Sequence, residues 1–279
     1  MNKKEKISDV KVRIFNVVIQ PTAKQCKDNY VALMDNIFNK QNKYQTGSRQ
    51  FTRIISLSKS ESIYQGALVN YSVLDTDKPW YNEEKNELQQ MSVDPNLNPD
   101  GKVWDFYFYP EFHRIAIPVR RGVSFTQVKK YLILAFKDAA ENLGYDDVVV
   151  NVVTSSEGIE AIFNLESIDR LSIEVSYSNN DNFDVFDKAI EDEFRDENIG
   201  IMKVVADSPK NGVISLKKRS YLGSLIRFSK NNGNAKAKGH REGKVFRINT
   251  DEYPRVVTMK KVKDTNILQK IKEAIESVL

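Results

Sequence analysis

Apolar side chains recur along this chain with two periods, every second residue in some stretches and every third or fourth in others. The two periods separate strands from helices. Residues 11–20 (KVRIFNVVIQ) read as a strand stopped by Pro21, which has no backbone N–H to offer a ladder. Residues 23–40 place Tyr30, Leu33, Met34, Ile37 and Phe38 at helical offsets, with Thr22 as the expected N-cap. Two strands are predicted at 49–58 and 63–74, joined by a turn at 59–62, and two more at 103–109 and 112–119, around Pro110. Residues 123–143 carry Phe125, Val128, Tyr131, Leu132, Ala135 and Phe136 on one helical face, closed by Gly144. An apolar strand follows at 147–153.

The second half alternates helix and strand: a helix at 155–165, a strand at 171–177, an acidic helix at 183–197 and a strand at 199–205. Residues 234–238 and 244–250 flank the turn formers GHREG at 239–243, which predicts a hairpin. A turn at 251–254 then leads to a third strand at 255–262, completing a meander, and residues 265–278 form an amphipathic closing helix. Residues 75–102 are a long polar insertion with Trp80 and three of the eight prolines, a length and composition that suit a lid, a binding loop or an Ω-loop. The expected class is α+β. Residues 1–154 would form an N-terminal lobe with a mostly antiparallel sheet and packed helices, and residues 155–279 an α/β lobe with the meander and the closing helix.

Charge changes this picture, because it is unevenly spread. The formal net charge is +4, yet residues 210–263 alone hold 15 Lys+Arg against 3 Asp+Glu, a local +12 that leaves −8 on the remainder. A basic block of this density lowers its free energy by meeting a polyanion and releasing condensed counterions. Strand alternation in the meander puts Ala235 and Ala237 on one face, with Phe246 and Ile248 as candidates for the same side. Lys236 and Lys238 take the other face, with Arg247 beside them and Lys260 extending the row from the third strand. Upstream, Lys217, Lys218 and Arg219 cluster, Arg227 and Lys230 follow, and Arg241 and Lys244 sit on the turn. Arg forks and Lys ammonium groups suit phosphate oxygens. With about six of them on phosphates, the log–log salt slope on duplex DNA would be about −5. The acidic stretch 181–197, with eight acids and two bases, offers the same face an alternative partner, within one chain or in a second copy.

Composition narrows the chemistry. A chain of 279 residues with 41% hydrophobic content can bury a sizeable core. The apolar runs are too short to cross a bilayer, the first nine residues are polar with no signal-peptide pattern, and the single cysteine fits a reducing, cytoplasmic compartment. No membrane partner is expected. One Cys and two His cannot make a four-ligand zinc site of N and S donors, and any nucleophilic triad would have to use His113 or His240. Glu111 and His113 alternate on a predicted strand, so a carboxylate could orient an imidazole, although a satisfied buried histidine explains the same pattern. Glu242-Gly243-Lys244 matches the acidic-x-Lys ending of many metal-dependent nucleases, but Glu83-Glu84-Lys85 matches equally. Neither a G-x-G-x-x-G nor a Walker A loop occurs. Cys26 reads as an incidental or packed thiol, and Trp80 and Trp104 as anchors of the insertion. No catalytic residue, metal or cofactor is assigned.

Several stretches carry a family resemblance: IYQGAL at 63–68, Trp80 with the PNLNP turn at 95–99, FYF at 106–108, HRIAI at 113–117, and AKAKG at 235–239 running on to Thr250 and Pro254. In these the chain resembles an uncharacterised bacterial family, the domain of unknown function numbered 4747. That resemblance supplies no activity to carry over, and implies a setting in phage defence or exclusion. The expected function is therefore a non-enzymatic nucleic-acid-binding protein of such a system, phosphate-directed, with DNA favoured over RNA. A metal-dependent nuclease and a self-associating interaction module are the alternatives.

Overall fold

The computed structural model describes residues 9–60, 62–90, 93–94, 96–177, 192–259 and 267–277. The α+β class expected from the pattern is what the chain adopts, around two antiparallel sheets. The first is built on β1 (Val10–Gln20), whose one edge pairs with β8 (Arg114–Pro118). From β8 the sheet continues through β7 (Lys102–Tyr109), β4 (Ile63–Ser72) and β3 (Gln50–Ser60) to β2 (Tyr44–Gly47). The other edge of β1 takes two short strands end to end. β9 (Asp147–Val152) lies beside residues 15–20, and β14 (Val256–Met259) beside residues 10–13.

Alternation along β1 explains the layers. Phe15, Val17 and Ile19 face a core shared with α1 (Lys27–Lys40) and α2 (Phe125–Leu143), while Val12 and Ile14 face a second core with α5 (Ile267–Glu276). Helix α2 begins where Ser124 accepts a hydrogen bond from the Gln127 N–H and ends at Gly144, whose φ of 71° is the left-handed region glycine tolerates best. Helix α1 starts later than expected. Residues 22–24 form a 3-10 turn, and Cys26, exposed and extended, takes the N-cap place given to Thr22. Within the insertion, β5 (Trp80–Asn82) and β6 (Glu87–Gln89) pair with each other.

The second sheet runs β11 (Ile201–Asp207), β10 (Ser167–Ser176), β12 (Gly233–Arg241), β13 (Lys244–Asn249). One of its faces is covered by α3 (Ser156–Phe163) and α4 (Tyr221–Asn232). Ile159, Ile162, Leu225, Ile226 and Phe228 pack there on Leu171, Ile173, Val175, Ala235 and Ala237. The β12–β13 turn is shorter than the five residues expected. Only Glu242 (φ 50°) and Gly243 (φ 71°) form it, the pair of positive φ values that a two-residue hairpin requires.

Two expectations about the C-terminal part are corrected. Among the described residues the meander has no third strand, because β14 pairs with β1 of the first sheet and not with β13. The closing helix placed in the second lobe packs instead on the first sheet, burying Ile271, Ala274 and Ile275 beside Val12 and Ile14. A strap carries the chain back: Arg255 N–H donates to the Val153 carbonyl, Ser155 N–H to Tyr253, and Thr154 N–H to Lys230. The lobes also meet through buried polar groups. Asn16 Nδ2 donates to Asn232 Oδ1 (2.8 Å), Asn151 Nδ2 to Ser176 Oγ (2.8 Å), and Ser176 Oγ to the Asn232 carbonyl (3.1 Å). Groups buried this deeply are stable only when paired, so the network fixes how the lobes sit.

Candidate nucleic-acid interface

No described helix covers the face of the second sheet opposite α3 and α4, and strand register decides what this open face shows. Directly opposed residues on antiparallel strands share a face. One cross-strand rung therefore reads Asp207, Arg170, Lys238, Arg247 across all four strands, and the next reads Val205, Ser172, Lys236, Asn249. A third rung holds Lys203, Glu174 and Asn234. Lys236, Lys238, Arg247 and Arg170 are exposed and line one shallow concavity of about 320 Å³, with Asn249 and Glu252 at its rim.

Compensation on this face is partial. Lys238 lies 3.4 Å from Asp169, Arg170 lies 3.5 Å from Asp207, and Lys203 lies 3.2 Å from Glu174. Lys236 and Arg247 have no carboxylate partner among the described residues. Three cations thus stand side by side in a single rung, an arrangement whose mutual repulsion a bound anion would relieve. The face continues into a cleft of about 390 Å³ between the lobes, where Lys236 and Lys203 look across to Lys129 and Lys137 of α2. Lys129 is already engaged, 2.5 Å from Asp251.

The basic block does not stay together. The side-chain alternation expected for 235–248 is observed, with Ala237 opposite Ile248 in the core and Lys238 opposite Arg247 outside. Lys217, Lys218, Arg219, Arg227 and Lys230 lie on the helical side of the sheet, away from that face. There Lys218 pairs with Glu160 at 2.6 Å and sits over the Phe163 ring. Arg227 donates to the Lys218 carbonyl and to Ser224 Oγ. Lys230 Nζ donates to Ser156 Oγ (3.0 Å), and burial, followed by the nearby Arg255 charge, lowers its pKa. The loop carrying residues 217–219 packs so closely on α4 that a Cβ at Gly223 would stand 2.2 Å from the Lys217 carbonyl oxygen. Arg241 and Lys244 are at the hairpin end, Arg241 held over the Phe246 ring at 4.6 Å. Lys260 and most of the acidic stretch 181–197 lie outside the described residues. Of the expected basic residues, the open face gathers Lys236, Lys238 and Arg247.

The catalytic candidates take structural places. His113 is not on a strand with Glu111. A 3-10 turn at Pro110–Phe112 intervenes, and His113 caps it with φ 44°. It is 2% exposed, stacks on Tyr30 at 5.2 Å, and its Nδ1 lies 2.8 Å from Asn16 Oδ1. Burial, reinforced by the adjacent Arg114 charge, holds its pKa well below 6.5, so the imidazole is neutral. Glu242 is a turn residue whose N–H donates to Glu166 Oε1. No group of three His, Cys, Asp or Glu side chains able to hold a metal occurs among the described residues. Trp104 is buried in the first core, and Trp80 Nε1 donates to the Asp75 carbonyl.

Arg170, Lys203 and Lys137 were missed by the reading of charge along the chain, because each comes from outside the basic block. The alternation Arg170, Ser172, Glu174 between Leu171, Ile173 and Val175 was the available signal: a half-buried strand with one polar face.

A family model described as "Domain of unknown function (DUF4747)" matches residues 8–276, so the chain belongs to that family. No curated protein matches it. No described helix is long and apolar enough to cross a membrane.

Proposed function

We propose that this member of the family binds nucleic acid through its phosphates on the open face of the second sheet, with duplex DNA as the ligand to test first. The observation that carries the reading is the rung in which Arg170, Lys238 and Arg247 are neighbours, with Lys236, which has no carboxylate partner among the described residues, beside it. Guanidinium and ammonium groups at strand spacing suit a row of backbone phosphates. Among the described residues the face carries no exposed Phe, Tyr or Trp platform. Its strands show Ser172, Asn234, Val205 and Val245 between the charges, a composition that favours backbone contacts over base stacking. On this reading a role in defence against phage would be exercised by holding foreign nucleic acid and not by cutting it.

Fluorescence anisotropy with a 20-base-pair duplex at several salt concentrations tests the reading. Four phosphate contacts give a log–log slope of about −4. Affinity that ignores salt, or that is unchanged in Lys236→Glu/Arg247→Glu, would sink it.

A further inference from the structure

Arg13 sits on β1 where the strand passes the start of α2, on the side of the sheet that carries Phe15 and Val17. Its guanidinium carbon lies 4.9 Å from the centroid of the Phe125 ring, and Phe125 stacks on Phe15 at 4.5 Å. The group is thus held in place by an aromatic platform. It is half-buried, no described residue forms an ion pair with it, and its Nε is buried without a hydrogen-bond partner among the described residues. Arginine cannot shed its proton, so a half-buried guanidinium with unfilled donors is a standing electrostatic cost.

The space around it is open on two sides. Arg13 lines one cavity of about 230 Å³ and a second of about 430 Å³. The larger one reaches Lys129 and Asn249, and Asn249 is the rung neighbour of Lys236 on the open face. Two carboxylates share that cavity. Asp251 is held by Lys129 at 2.5 Å, and Glu252 stands exposed at the junction with the concavity described above.

We propose that Arg13 is an anion subsite that takes a phosphate group at the end of the groove, so that a polyanion on the second sheet crosses the lobe junction and is gripped by the first. The bridging part rests on the function proposed above; the anion subsite itself does not.

The experiment uses the full chain, with inorganic phosphate as the first probe and the 20-base-pair duplex as the second. At about ten times its dissociation constant, phosphate should raise the wild-type Tm by about 2–4 °C over chloride of equal ionic strength. Arg13→Gln should fold, unfold in chloride at or above the wild-type Tm, and show no phosphate-dependent rise. Arg13→Lys, which keeps the charge and loses the fork, is the second variant and should show at most a small rise. Equal phosphate-dependent rises in wild type and both variants would overturn the subsite. With the duplex, Arg13→Gln should weaken binding several-fold and reduce the salt slope by about 1. Duplex binding untouched by Arg13→Gln, while Lys236→Glu abolishes it, would overturn the crossing. A wild type that ignores the duplex yet is stabilised by phosphate through Arg13 would count against the nucleic-acid reading and uphold the subsite.

Discussion

The two sides of the second sheet draw on one basic stretch of sequence and use it differently. On the helical side, Lys218, Arg227 and Lys230 are engaged with Glu160, the Lys218 carbonyl and serine hydroxyls, and Lys218 sits over the Phe163 ring. On the open side, Lys236 and Arg247 have no carboxylate partner among the described residues, and Lys238 has only a 3.4 Å contact with Asp169. Local density of Lys and Arg therefore does not identify a binding surface. What matters is whether the fold hands each charge an internal partner.

The largest effect that could break this contrast is on affinity. Lys236→Glu/Arg247→Glu should weaken duplex binding about 100-fold near 0.1 M salt, and Lys218→Gln/Arg227→Gln, whose charges are engaged on the helical side, by no more than about threefold. Equal losses from the two pairs would erase the distinction. Salt dependence sharpens the same comparison: the first pair should bring a slope of about −4 to about −2, and the second should leave it in place.

The contrast also requires that the lobes stay locked, and His113 reports on that lock. Its folded pKa is depressed, so the unfolded chain binds the proton more readily. Stability is full above about pH 6.5 and is lost as pH falls below it, by about 1.4 kcal/mol per pH unit until the folded pKa is reached. His113→Asn, a residue that tolerates the left-handed backbone found there, should flatten that slope in denaturant titrations between pH 6.5 and 5. An unchanged slope would show that the imidazole is not the group responsible. The smallest effect expected is that of Lys230→Met. Replacing a half-buried ammonium whose pKa is already lowered should shift the Tm by less than about 2 °C and leave duplex affinity unchanged. A loss of affinity comparable to that of Lys236→Met would place Lys230 on the binding surface after all.

Helix α2 and hairpin β12–β13 were legible because pattern and packing agree in them. Phe125 to Phe136 mark one helical face, and Ala235 and Ala237 alternate with Lys236 and Lys238. Helix α4 was not legible in the same way, since Arg227 and Lys230 interrupt its apolar run, although Ser220 caps it by accepting from Gly223. Long-range pairing was the other loss. Nothing near residues 256–259 says that their partner lies at residues 10–13, and nothing near Arg170 says that Lys238 will stand beside it. Contacts set by pairing across the chain carry no local period, and the two cationic groups that define the rung are 68 positions apart.

Strand β1 binds one of the first segments of the chain to one of the last, β14. During synthesis, the edge formed by residues 10–13 must wait until residues 256–259 have left the ribosome, well after the other partners of β1 at residues 114–118 and 147–152. A product cut short before them would leave that edge uncovered and ready to pair with a stray strand. Completion of the first sheet thus depends on a pairing that forms late in synthesis.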